Sequence, residues 1–389
     1  MENHEVKKHK RKKAALIVLL VFLILILSVV IGAIIYANYL LGNMNYVSPD
    51  SEYTLSASEA DEYLYNDPEM ETANPEETYV KIEDILFPEP ETDPTETTDA
   101  ETNPAETAPS QTNPTENTSN NVASNIYGDH LVNIMLVGQD RNEGQSRQRS
   151  DTMILVSFNK STNTITLTSF MRDQYVQIPG YKPNKLNAAY AYGGMSLLTR
   201  TLELNFGVKL DGMVEVDFSG FEKVIDLLGG VDITLTQAEA AYLGTLHEIG
   251  MLSSPVVVGK NHLDGKQALV FARLREIDTD YARARRQRAV ITGLIDAYKN
   301  LPLDQMLGLL DDILPMITTN MTNGQIMGYA MELFPMLATA QVNTMRIPLE
   351  GTFDSGLAEV REGFIAWFQY NIDFYENQKA LWDIFRDRS

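Results

Sequence analysis

The sequence predicts a layered α/β domain standing behind a membrane-spanning helix and a disordered acidic linker, and three observations carry that prediction. From His130 onward, short runs of apolar and β-branched residues alternate with helix-patterned segments, an order that packs as layers. An uncharged apolar run near the amino terminus follows a basic flank. Between the two, nearly all of the charge has one sign.

Residues Met1 to Lys13 carry six Lys/Arg against two Glu, and the 24 residues from Ala14 to Ala37 carry no charge. Such a run crosses a bilayer as one helix, here 14–38. A cleaved signal peptide has a shorter apolar core, about 7–15 residues, and a small-residue cleavage site that is not evident here. With the basic flank inside, 1–13 is a cytoplasmic tail and everything after the helix is extracytoplasmic, a single-pass arrangement in the cell membrane. That topology removes cytosolic nucleotides and nucleic acid from the expected partners.

Residues 39–127 read as a disordered linker. Between Ser51 and Tyr127 there are 19 acidic residues and one basic residue, Lys81, which supplies -18 of the net charge of -22. Thr-Asp-Pro-Thr-Glu at Thr92 recurs as Thr-Asn-Pro-Ala-Glu at Thr102 and Thr-Asn-Pro-Thr-Glu at Thr112. Low hydrophobicity with charge of one sign does not offset the entropy of ordering. Ile82 to Phe87 is the one candidate for local order.

The domain is expected over 128–389. Leu131 to Gly138, Thr152 to Phe158 and Thr164 to Phe170 read as buried strands bounded by polar turns. Met213 to Asp217, Val231 to Leu235 and Val342 to Ile347 read as further strands. Helices are expected at Met195 to Phe206, Phe218 to Leu228, Met306 to Ile317, Asn323 to Leu337 and Phe368 to Phe385. The pair Gly229-Gly230 before Val231-Asp232 reads as a tight helix-to-strand turn.

Composition narrows the chemistry. Cysteine is absent, which excludes disulfides, thiolate metal sites and thiol nucleophiles. Beyond the tail, His130, His247 and His262 form no pair at metal-ligand spacing, which argues against a zinc hydrolase and leaves a hard, oxygen-liking ion such as Mg2+.

The densest chemical signal runs from Ala268 to Ile291, with Arg273, Arg275, Arg283, Arg285, Arg286 and Arg288 in a strongly acidic chain. If the part from Asp280 onward is helical, Asp280, Arg283 and Gln287 share a stripe, Arg286 and Arg288 flank it and Arg285 turns away. Guanidinium forks suit phosphate oxygens and stay charged when partly desolvated. The competing account is a solvated charged helix. Other polar residues gather at strand ends. Asp140 follows the first strand, Arg149 and Asp151 lead into the second, and Arg172-Asp173 follows the third. Asp140 and Asp151 suit a magnesium ion that also takes phosphate oxygens, or else each caps a turn. Lys185-Leu186-Asn187 enters a helix through a stretch ending Tyr190-Ala191-Tyr192-Gly193-Gly194, which reads as a groove lining or as a plain helix start.

In order and spacing these motifs resemble the LytR-CpsA-Psr family. The resemblance runs from Asn133 to Arg288 and includes Gly-x-Asp, Arg-Ser-Asp-Thr-Met, Ser-x-x-Arg-Asp, Lys-x-Asn-Ala-Ala-Tyr-x-Tyr-Gly-Gly, Gly-Gly-Val-Asp, Leu-x-Gly-x-x-Ala-Leu, Arg-x-Arg and Asp-x-x-Arg-x-x-Arg-Gln. Met171 stands where the family commonly has proline. The resemblance implies a three-layer α/β/α domain with a mixed central sheet. The implied enzyme moves a glycopolymer, of teichoic-acid or capsular type, from a polyprenyl-pyrophosphate carrier to a peptidoglycan hydroxyl, with Mg2+ (or Mn2+) at the pyrophosphate. It further implies Asp140 and Asp151 as metal ligands, and Arg149, Arg172, Arg273, Arg275 and Arg283 with Gln287 as pyrophosphate-binding residues. Lys185 and Asn187 join these as substrate-binding candidates, and Asp140, Asp151 and Arg172 are the catalytic candidates.

Two other classes remain at this stage. A binder of phosphorylated wall polymer or polyprenyl phosphate would need the same arginines without turnover. A transcriptional regulator would use the arginine helix on nucleic acid, but the topology and the acidic domain oppose it.

Overall fold

The computed structural model describes residues 39, 42–65, 70–75, 77–85, 87, 126–139, 149–299 and 312–388. The expected cytoplasmic tail, the 14–38 helix, the Thr/Pro/Glu repeats, Asp140 and the 306–311 part of the Met306–Ile317 helix lie outside the described residues. Among those described, no helix is long and apolar enough to cross a membrane.

In chain order the elements are β1 (Asn45–Tyr46), α1 (Ala57–Tyr65), β2 (Glu71–Thr72), β3 (Val80–Lys81), β4 (Leu131–Gln139), β5 (Ser150–Asn159), β6 (Thr164–Phe170), β7 (Tyr175–Val176), β8 (Asn184–Lys185) and α2 (Leu186–Phe206). They continue with β9 (Gly212–Asp217), α3 (Phe218–Leu227), β10 (Val231–Leu235), α4 (Gln237–Glu248), β11 (Gly259–Leu263), α5 (Gly265–Arg273) and α6 (Asp280–Lys299). The last are β12 (Thr318–Thr319), α7 (Asn323–Leu337), β13 (Gln341–Ile347), β14 (Asp354–Arg361), β15 (Phe364–Tyr370) and α8 (Phe374–Phe385).

The main sheet is mixed and seven-stranded, in the order β1-β12-β9-β4-β5-β6-β13. Side chains alternate across it, as strand geometry requires. One face sends Met135, Val137, Met153, Leu155 and Phe170 against α2 and α8. The other sends Ile154, Val156, Ile165 and Leu167 against Ile291 and Ile295 of α6 and Leu337 of α7. Helices thus cover both faces. A β10–β11 ribbon packs with α3, α4 and α5 around Ile225, Leu243 and Phe271.

Helix ends follow local chemistry. The Thr236 and Glu239 side chains form a capping box at α4, and Asp264 with Gln267 does the same at α5. Helix α2 begins at Leu186, earlier than the expected Met195, and kinks at Gly193-Gly194, where Gly194 takes φ 62°. Glycine is required there because the left-handed region is costly for other residues. The kink frees backbone N–H groups, and the Glu52 carboxylate accepts from two of them, Met195 N at 2.9 Å and Ser196 N at 2.8 Å.

Glu52 belongs to the segment read from sequence as linker, and here the structure differs. Within 39–127, β1 pairs with β12, β2 with β15 and β3 with β14. Ala60 and Ile82 are buried, Phe87 stacks on Tyr175 at 5.4 Å, and Lys182 pairs with Asp61 at 2.7 Å. Averaged over the whole acidic stretch, the apolar content is too low for order. Concentrated at Leu55, Ala60, Ile82 and Phe87, it completes surfaces the domain already presents. A second difference is at the carboxyl end, where Phe364–Tyr370 is a strand paired antiparallel with Asp354–Arg361, so the final helix starts at Phe374 and not Phe368.

Candidate active site

The sheet topology gathers the polar strand ends. Gln139 at the end of β4 pairs with Ser150 at the start of β5 and with Asp217 at the end of β9. Phe170 at the end of β6 pairs with Ile347 at the end of β13. Outside the carboxyl ends of such strands is where α/β sheets bind ligands.

At that edge Arg172, largely buried, donates from Nη1 to Asp151 Oδ1 at 2.9 Å. Its Nε lies 3.5 Å from Asp173 Oδ2 and 3.5 Å from Asp280 Oδ2. Arg275 approaches the same two acids, Nη2 at 3.8 Å from Asp151 and Nε at 3.5 Å from Asp280. Arg283, one turn into α6, reaches Asp280 at 3.3 Å and is 5 % exposed. Three guanidiniums thus converge on Asp280 and two of them also on Asp151. The positive end of the α6 dipole, at Asp280, adds to the field.

The other candidates fall around this cluster. Arg149 precedes β5 directly and is half-buried. Arg273 closes α5 with its guanidinium 4.0 Å from the ring centre of Phe218, the residue after Asp217. Gln287 is one turn beyond Arg283 and half-buried. Lys185 is fully buried, with Nζ 3.2 Å from Asp173 Oδ1, so it touches the site through the carboxylate it shares with Arg172. Asn187 is fully buried; its backbone N–H donates to the Arg172 carbonyl at 3.2 Å, and its side-chain amide makes no hydrogen bond among the described residues.

Two arginines flanking the Arg283 stripe part ways. Arg286 is turned from the site into a structural network, with Nε 2.8 Å from Glu239, Nη1 2.6 Å from the Leu274 carbonyl and Nη2 on Asp278. Arg288 faces the sheet and donates to Ser169 Oγ at 2.6 Å. Arg285 is 62 % exposed, as its phase requires. Asp280 and Asp173, which hold the arginines in place, were not among the sequence-derived site residues. The i,i+3 spacing of Asp280 to Arg283 was the available signal for the first.

For a hard divalent cation the donor type fits. Carboxylate oxygen is what Mg2+ selects, Asp151 Oδ1 accepts from Arg172, and among the described residues no group of three or more acidic or histidine side chains is placed to hold an ion.

Comparison with known proteins agrees with the fold. The chain matches the LytR_cpsA_psr family over residues 96–373. It is 32 % identical over 219 residues to the polyisoprenyl-teichoic acid--peptidoglycan teichoic acid transferase TagT of Bacillus subtilis, a match covering 54 % of this chain and 66 % of that protein, just under two thirds. It is 29 % identical over 236 residues to the regulatory protein MsrR of Staphylococcus aureus, covering 59 % of this chain and 68 % of that one. Among solved structures, the LytR-CPS2A-psr family protein YwtF (TagT) with bound octaprenyl pyrophosphate lipid superposes with a TM-score of 0.50 at 26 % identity, covering 66 % of this chain and 91 % of that chain. The family match spans most of the chain and the same mixed α/β fold recurs in the solved relative, so this protein belongs to the LytR-CpsA-Psr family.

Proposed function

We propose that this protein is a phosphotransferase that moves a glycopolymer, of teichoic-acid or capsular type, from a polyprenyl-pyrophosphate carrier to a hydroxyl of peptidoglycan. The observation that carries the reading is the convergence of Arg172, Arg275 and Arg283 on Asp151 and Asp280 at the strand ends. A relative named as a teichoic acid transferase and one with bound octaprenyl pyrophosphate support it. The basic flank and uncharged run before Tyr39 would hold the domain at the outer membrane surface, where such a lipid presents its head group.

In the step proposed, the acceptor hydroxyl oxygen bonds to the glycan-side phosphorus as the bond from that phosphorus to the bridging oxygen breaks. The electron pair leaves with the lipid phosphate, and the hydroxyl proton passes to a carboxylate, Asp140 or Asp151. Arg172, Arg275 and Arg283 bind the pyrophosphate oxygens and neutralise the charge that grows on them. Asp280 and Asp173 hold those guanidiniums in position. Asp140 and Asp151 would hold Mg2+, or Mn2+ in its place, which supplies further positive charge to the phosphates when bound.

The test is transfer of a lipid-linked glycan to peptidoglycan fragments by the full chain in detergent with Mg2+. One lost charge-assisted phosphate contact costs about 1.5–3 kcal/mol, roughly ten- to a hundredfold in rate. Arg275→Ala is expected to lose that much, chelation of Mg2+ to stop transfer, and Arg285→Ala to stay within about twofold. Binding of lipid pyrophosphate with no product under any condition would make the protein a receptor instead of an enzyme.

A further inference from the structure

Among the basic side chains of this region, Arg288 is unlike its neighbours. Arg172, Arg275, Arg283, Arg286 and Arg346 each have a carboxylate within 4 Å. Arg288 is 7 % exposed and, among the described residues, its guanidinium forms no ion pair and donates one hydrogen bond, to the neutral Ser169 hydroxyl. Its Nε makes no hydrogen bond among the described residues. Burial, with the charges of Arg346 and Arg285 adding to it, pushes the guanidinium down to about 10. A buried cation without a counter-charge is costly, and a fold keeps one where a ligand supplies the charge.

Its position says which ligand. Ser169 lies at the carboxyl end of β6, three residues before Arg172, so the Arg288 guanidinium hydrogen-bonds the strand end that leads into the arginine–aspartate cluster. On the other side, Leu167 and Ile165 continue down β6 and Ile291 and Ile295 continue down α6, all within the apolar layer between sheet and helices. An anion here has a polar neighbour above and hydrocarbon below. We propose that Arg288 binds the lipid-side phosphate of the isoprenoid carrier, the phosphate whose ester substituent is apolar. The inference rests on the transferase reading and adds to it a residue that holds the carrier both before transfer and as the monophosphate product.

The experiment titrates the full chain in detergent with geranylgeranyl monophosphate, whose tail fixes its phosphate at the lipid side, and with geranylgeranyl diphosphate as reference. Arg288→Met keeps the volume and removes the charge. It is expected to melt at or above wild type without ligand, because an uncompensated charge is gone, and to bind the monophosphate at least tenfold more weakly. Arg288→Lys should recover part of the binding. Wild-type binding of the monophosphate that is unchanged in Arg288→Met overturns the inference alone, as does a lowered melt of the ligand-free variant, which marks a structural arginine. Wild type that binds neither lipid phosphate overturns the transferase reading and takes this inference with it.

Discussion

Arg283 and Arg286 lie three residues apart on one helix, both buried, yet their removal should fail in different ways. Arg286 is 1 % exposed and its Nε is 2.8 Å from Glu239, itself 3 % exposed, while Nη1 satisfies the Leu274 carbonyl. Taking away one member of a buried pair leaves an uncompensated charge and costs about 3–5 kcal/mol. Glu239 also caps α4 and has Arg285 at 3.6 Å, so part of its charge stays balanced and the loss should fall near the lower end, about 3 kcal/mol. For a domain of this size that lowers the melting midpoint by roughly 6–12 °C. Arg283→Ala instead leaves Asp280 paired with Arg172 and Arg275, each at 3.5 Å, so its stability cost should be about 1 kcal/mol or less. Transfer should nonetheless fall by roughly ten- to a hundredfold. The assay pairs a circular dichroism melt with glycan transfer measured well below the lower midpoint. Arg286→Ala melting like wild type, or Arg283→Ala melting as low as Arg286→Ala, would refute this division of one helix into a structural and a ligand-binding side.

Two other outcomes are expected. Deleting 92–120 should leave the melt nearly unchanged, whereas Glu52→Ala should cost about 1 kcal/mol by stripping the cap from the second half of α2; equal melts for Glu52→Ala and wild type would mean that the amino-terminal segment does not dock as described. His262 offers a pH test: Nδ1 is 2.7 Å from Asp232 and Nε2 is 2.6 Å from the Gly229 carbonyl, and because both partners accept, the imidazolium is favoured and its pKa is raised. A raised histidine pKa contributes stability that is full below about pH 6.5 and lost as pH rises through the folded value, here about 0.5 kcal/mol or less because both side chains are mostly exposed. Urea melts at pH 5.5 and 8.5 should show this slope in wild type and lose it in Asp232→Asn; an unchanged slope would place its origin elsewhere.

Much of the domain was legible in the sequence because its signals are local. Buried strand segments such as Met153 to Val156 are continuous apolar runs, which need no distant partner to be recognised. The phase of α6 separated Arg283 from Arg285 correctly, since a helix repeat needs no tertiary information. The same phase placed Arg286 and Arg288 only as flanks. Their fates depend on Glu239 and Ser169, which are 47 and 119 residues away in the chain and carry no sequence mark of the contact. Composition misjudged the described parts of 39–127 for a related reason. It reports the mean apolar content of a segment, whereas docking at Glu52, Ala60, Ile82 and Phe87 depends on a few residues meeting surfaces built elsewhere. The hairpin of β14 and β15 was missed because Phe364 to Phe368 is a short apolar run that suits either a strand or a buried helix, and pairing with Asp354–Arg361 decides between them. The sequence by itself thus determined which residues bear the charge and the type of those segments whose apolar pattern is unambiguous, such as β4, β5 and β6. Only the tertiary structure decided which charges face one another, because a carboxylate's partner is set by packing across layers and not by spacing along the chain.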